Sequence, residues 1–117
     1  QPSGLNTNHL THDKKIVDKY NNDPLVHRKI SVSLFYGAIT AANDSLTHAS
    51  ELKVPTLILH GGDDLIISIS GSKEFASKTP MVELKIWEGG YHELHNEPFK
   101  NEVFNFILSW INKRLAS

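Results

Sequence analysis

Residues 54–64 read VPTLILHGGDD, and how this stretch folds decides the architecture. Val54-Pro55 closes what precedes it, because the residue before a proline is biased toward extended geometry. Thr56 to His60 is then a short, nearly continuous apolar run ended by Gly61-Gly62. A run of that length without alternation predicts a strand covered on both faces, as in a parallel sheet. Parallel strands deliver functional groups from the loops beyond their C-terminal ends. The first such loop is Gly61-Gly62-Asp63-Asp64.

Downstream the same unit recurs. Ser70 to about Lys78 reads as a helix closed by Thr79-Pro80. Val82, Leu84 and Ile86 then alternate with Glu83, Lys85 and Trp87, which predicts a strand with one wetter face, as at a sheet edge. Beyond loop 88–97, a helix from about Pro98 to Leu115 carries Phe99, Val103, Phe106, Ile107, Trp110 and Ile111 on one stripe. Strand–helix–strand–helix is a parallel α/β unit with a right-handed crossover. Two parallel strands alone make a poor sheet, and the first is too apolar for an edge. The chain is therefore expected to be an incomplete domain, consistent with a sequence that opens without methionine.

Upstream, Thr11 is the expected N-cap of a short helix with Asp13 in its first turn, running to about Tyr20. Asn21-Asn22-Asp23-Pro24 breaks it. From about Leu25 to Ala42, Leu34, Phe35, Ala38, Ile39 and Ala42 recur at helical spacing, and Asn43-Asp44 is the expected kink or end. Ile30, Leu34 and Phe35 are read as core packing in preference to an acyl-binding wall.

Composition narrows the function classes. A formal net charge of −1 without a basic run argues against a nucleic-acid partner. The absence of cysteine excludes disulfides, thiolate metal sites and a cysteine nucleophile. No apolar stretch approaches the roughly 18 residues of a membrane span, and no signal peptide pattern opens the chain. A cytoplasmic location is the favoured expectation.

The second strand-end loop opens GGYHELHNEP, residues 89–98. A zinc reading fails on spacing: two ligands on one helix face need H-E-x-x-H, and His92-Glu93-Leu94-His95 is one residue short. Asp64 and His92 instead lie at the same end of neighbouring strands, where a carboxylate can fix an imidazole tautomer and leave its other nitrogen to take a proton. Asn96 is the expected cap of the last helix, with Glu97 and Pro98 in its first turn. Glu93 is placed to tie down the histidine loop. His9, His12, His27 and His48 read as surface residues, and Trp87 and Trp110 as packing.

The segments NNDPLVH (21–27), VPTLILHGGDD (54–64) and WEGGYHELHNEP (87–98) resemble the C-terminal half of the monoacylglycerol lipase and lysophospholipase group of serine α/β-hydrolases. The resemblance covers nearly the whole chain. It implies an α/β fold consisting of the last two parallel strands and their helices, with residues 1–24 ending the cap region and 25–117 belonging to the core. Matched residue by residue, it places the triad aspartate at Asp64, ahead of Asp63, and the triad histidine at His92. It implies a small lipid or ester substrate, transient contact with a membrane surface, and no metal or organic cofactor. The nucleophile elbow G-x-S-x-G is absent from the sequence, and Ser70 and Ser72 lack its strand-to-helix context. His60-Gly61-Gly62 superficially matches an oxyanion motif, yet lies on the aspartate-bearing strand, so His60 reads as structural. The expected activity is ester hydrolysis with the serine outside these residues, the chain alone being inactive. Dehalogenase or epoxide hydrolase chemistry, which uses an aspartate nucleophile, is the alternative on the same fold. A binding module that pairs with the missing N-terminal half or another copy of itself is the non-enzymatic one.

Overall fold

The computed structural model describes residues 1–116. In chain order its elements are α1 (Lys14–Asn22), α2 (Val32–Thr47), β1 (Thr56–Gly61), α3 (Ile69–Ser77), β2 (Val82–Trp87) and α4 (Lys100–Leu115). Single 3-10 turns occupy Thr7–His9, Ala49–Glu51 and Leu94–Asn96. β1 and β2 pair in parallel, in register from Thr56 opposite Val82 to Gly61 opposite Trp87, with α3 as the crossover. This is the strand–helix–strand–helix unit that the apolar run at 54–64 predicts.

Each face of the unit is built differently. On β2, Trp87 stacks on Phe99 and meets the edge of Phe106 of α4, their ring centroids 6.1 and 6.0 Å apart. Val103 of α4 is fully buried, as expected of that helix's apolar stripe. Trp110 packs under Arg114 and donates its indole N–H to Glu83. Far from these, residues 1–3 run antiparallel to 28–30, joined by the Pro2–Lys29 bridge.

Three expected boundaries move, each for a local physical reason. Asp13, not Thr11, caps α1, its carboxylate accepting the Lys15 N–H at 2.9 Å; Thr11 is buried and bonded elsewhere. α2 starts at Val32 under a Ser31 cap and passes through Asn43-Asp44 to Thr47. Each of those residues costs only about 0.7 kcal/mol in a helix interior, too little to end one lacking an internal proline. α4 begins at Lys100 with no side-chain cap. Asn96 instead ends the 3-10 turn and donates to Glu93, and Glu97 turns inward.

Core packing of α2 is the expectation that fails outright. No α2 residue is buried, and Leu34 and Phe35 are 63% and 45% exposed. The buried apolar residues among those described are Leu10, Val17, Ala49, Leu94 and Val103, most of them around the two strand-end loops and the N-terminal segment. The radius of gyration, 16.1 Å, exceeds the roughly 13 Å of a compact domain of this length. The surface area of 8203 Å² likewise exceeds the about 6400 Å² expected of a compact monomer of this mass. The exposed large apolar residues lie chiefly on α2 (Val32, Leu34, Phe35, Tyr36 and Ile39) and on α4 (Phe104, Leu108, Ile111 and Leu115).

Candidate active site

The loops after β1 and β2 are stitched to one another before any side chain is considered. Gly62 N–H donates to Trp87 O at 2.7 Å and Asp63 N–H to Gly90 O at 3.0 Å, while Gly90 N–H closes its own loop on Trp87 O at 3.0 Å. Gly61 is required by this approach: a Cβ there would run into the carbonyl oxygens of Gly90 and Tyr91. Gly89, at φ +72°, turns the chain in the left-handed region that favours glycine. The apolar strands therefore set two loops side by side, and the glycines let their backbones touch.

Asp64 and His92 are brought together as the strand ends predict. His92 Nδ1 donates to Asp64 Oδ2 at 2.9 Å. The other carboxylate oxygen, Oδ1, accepts the N–H groups of Ile66 at 2.8 Å and Ile67 at 3.0 Å. The Asp64 side chain is only 5% exposed, whereas that of His92 is 36% exposed. Burial disfavours the Asp64 anion, but hydrogen bonds from Ile67, His92 and Ile66, with the His92 charge, outweigh it and hold the carboxyl below the usual range. An ionised carboxylate only accepts, so His92 Nδ1 carries the proton, and in its neutral form the ring keeps its lone pair on Nε2. Nε2 has no hydrogen-bond partner among the described residues. That is an oriented base with an open face. Asp63 carries no such contact to His92.

His60 stands behind the aspartate. Its ring is 8% exposed, with Nε2 3.2 Å from Ile67 O and 3.4 Å from Asp64 Oδ2, and Nδ1 2.7 Å from Ser72 Oγ. Two acceptors face Nε2, so that nitrogen holds the hydrogen and Ser72 donates to Nδ1. Ser72 lies inside α3, not at a strand-to-helix elbow, and Ser70 Oγ pairs with Ser68 Oγ. Neither serine has the setting of a nucleophile. His60 is structural, as read, but structural for the carboxylate itself.

Glu97 is the residue that reading the sequence mistook. It is 0% exposed. Its Oε1 accepts the Tyr91 N–H at 2.7 Å, and its Oε2 accepts the His12 N–H at 3.0 Å and the Thr11 hydroxyl at 3.2 Å. His12 Nδ1 donates to the same carboxylate at 3.0 Å, and the His12 ring stacks on Tyr91 with centroids 3.7 Å apart. His12 is thus no idle surface residue. Burial again disfavours the anion, yet the bonds from Tyr91 and His12 win and keep Glu97 ionised below the usual range. The only sequence signal for this was the acidic residue itself; Tyr91 is near in the chain, but His12 and Thr11 lie 85 and 86 positions upstream.

Comparison with known proteins bears on the same region. Residues 1–99 match the family described as serine aminopeptidase, S33. A monoacylglycerol lipase of Mycolicibacterium smegmatis is 31% identical over 114 residues, which cover 95% of this chain and 41% of that protein. Human monoglyceride lipase is 35% identical over 114 residues, 92% of this chain and 37% of that protein. A crystal structure of Paleococcus ferrophilus monoacylglycerol lipase superposes with a TM-score of 0.88 at 27% identity, across 94% of this chain and 44% of that one. The chain thus spans less than half the length of these relatives. The architecture is the C-terminal part of an α/β-hydrolase fold: the last two parallel strands and their helices.

Proposed function

This chain belongs to the serine aminopeptidase, S33 family of α/β-hydrolases, and from that premise we propose that it carries the acid–base half of a serine ester hydrolase. The observation that carries the reading is the His92–Asp64 bond at 2.9 Å, with the imidazole Nε2 open. The substrate class is a carboxylic ester such as a monoacylglycerol or lysophospholipid, in line with the lipases among its relatives. Residues 1–24 belong to the end of the cap and residues 25–117 to the core. The nucleophilic serine and the oxyanion donors lie in sequence outside residues 1–117.

The chemistry follows from the tautomer. As the serine oxygen attacks the ester carbonyl, His92 Nε2 takes the hydroxyl proton, and Asp64 stabilises the resulting imidazolium. Collapse of the tetrahedral adduct breaks the ester C–O bond, and the leaving alcohol receives that proton from His92. Water then enters by the same base, giving the free acid and restoring the serine. Aspartate-nucleophile chemistry on the same fold would use the same His92–Asp64 pair with its nucleophile upstream, where the serine is proposed; the lipases among the relatives support the serine reading.

The experiment is an assay of short-chain nitrophenyl esters. The 117-residue chain alone is expected to be silent, since an oriented base without nucleophile or oxyanion donors supplies little rate. Turnover by this chain that a fluorophosphonate abolishes would overturn the reading. In a longer protein that includes this segment and a G-x-S-x-G elbow, His92→Ala should abolish ester hydrolysis.

A further inference from the structure

We propose that Glu97 is a positioning residue for His92, a buried clamp that fixes the histidine loop by joining it to residues 9–12. The inference rests on the reading of Asp64 and His92 above. Three consecutive amides surround the catalytic histidine in the chain, and none of them bonds to the sheet. Tyr91 N–H goes to Glu97 Oε1 at 2.7 Å, His92 N–H to His9 O at 3.5 Å, and Glu93 N–H to Leu10 O at 2.8 Å. The backbone that carries His92 is therefore held from one side by a carboxylate and from the other by the 9–10 carbonyls. Those carbonyls are held in turn, because Glu97 Oε2 takes the His12 N–H two residues beyond Leu10.

The two oxygens of Glu97 thus serve two separate segments, which only a carboxylate can do. An amide at this position has one acceptor oxygen. It can satisfy Tyr91 N–H or His12 N–H, and must turn an NH₂ toward the other. Thr11 does not depend on the exchange, since its hydroxyl also reaches Asn96 O at 2.9 Å. Whichever backbone amide loses its partner, the loop loosens: directly at Tyr91, or through the 9–10 carbonyls that hold His92 and Glu93. Asp64 is untouched by the change, because its own anchors are the Ile66 and Ile67 amides.

The test is nuclear magnetic resonance on this chain with 15N-labelled histidine. The ring shifts of His92 report which nitrogen is protonated, and the Nδ1 proton bonded to Asp64 is observed directly. In Glu97→Gln the His92 Nδ1 proton signal should broaden or vanish and the two tautomers should mix, while exchange at the Tyr91 and Glu93 amides accelerates about tenfold or more. Glu97→Asp, which keeps the charge but shortens the reach, should give a smaller effect of the same kind. His12→Phe preserves a ring over Tyr91 and the backbone bond at residue 12, and should leave His92 unchanged. An unaltered His92 tautomer in Glu97→Gln would overturn the proposal, as would an equal loss in His12→Phe. Unfolding of both Glu97 variants would mark a purely structural role and overturn it as well. Asp64→Asn separates this from the site reading: if that variant leaves His92 unmoved, the dyad itself is wrong, whatever Glu97 does.

Discussion

Replacing Asp64 by asparagine is the sharpest probe of the dyad. The amide oxygen can take over the two N–H groups of Ile66 and Ile67, which Oδ1 now accepts at 2.8 and 3.0 Å. The NH₂ must then point where Oδ2 was, at His92 Nδ1 and His60 Nε2, 2.9 and 3.4 Å away. Two donors would face each other at His92, so its hydrogen moves to Nε2 and Nδ1 becomes the acceptor. The ring then has no lone pair toward the substrate. Loss of a charge-assisted hydrogen bond at this nearly buried carboxylate should cost about 1.5–3 kcal/mol of stability. The catalytic cost is larger: reversing the tautomer of a triad histidine lowers kcat by about 10⁴, or roughly 5 kcal/mol of transition-state stabilisation. Histidine 15N shifts on this chain read the tautomer, and ester hydrolysis by a longer protein containing the segment reads the rate. If Asp64→Asn leaves Nδ1 protonated, or lowers kcat less than about tenfold, His92 is not oriented by Asp64.

Other perturbations act on the scaffold around the dyad. Gly61→Ala should drive the 61–64 and 89–92 loops apart, because its Cβ meets backbone carbonyls rather than movable side-chain ends; loss of the His92 Nδ1 proton with both strands retained would show this, and an unchanged signal would count against the close approach. Asp64 and Glu97 both titrate below their ordinary values when folded, so each contributes stability that is complete above the unfolded carboxylate pKa of about 4 and is lost as pH falls through the lower folded value. Acid unfolding should therefore steepen below about pH 4 and weaken in Glu97→Gln, as followed by circular dichroism. On α2, Phe35→Asp should reduce binding of a hydrophobic dye with little change in Tm, since the ring is 45% exposed. A large fall in Tm would show that the α2 face is covered in solution.

How much of this was legible in the residues depends on how far apart the partners sit. The strands declared themselves within single short windows, as an unbroken apolar run and as an alternation, and the pairing of Thr56 with Val82 through Gly61 with Trp87 follows from two such strands and one crossover. Asp64 and His92 were legible because strand geometry carries both to the same end of the sheet, so their 28-residue separation closes to a hydrogen bond. Glu97 was not legible. In its own window an acidic residue between Asn96 and Pro98 is a helix lead-in, worth about 1 kcal/mol as a cap or dipole partner. A carboxylate accepting four donors is worth more than that, but the donors are supplied by Thr11, His12 and Tyr91, and no periodicity links residues 11 and 97. The same limit explains α2. Its apolar spacing correctly predicted a helix with an apolar face, but spacing reports only that a face seeks cover, not where the cover lies. Local pattern therefore located the proposed dyad, and Asp64 is anchored locally by the Ile66 and Ile67 amides, but what holds the His92 loop depends on contacts between distant segments, which is where variants that spare Asp64 and His92 should have their largest effects.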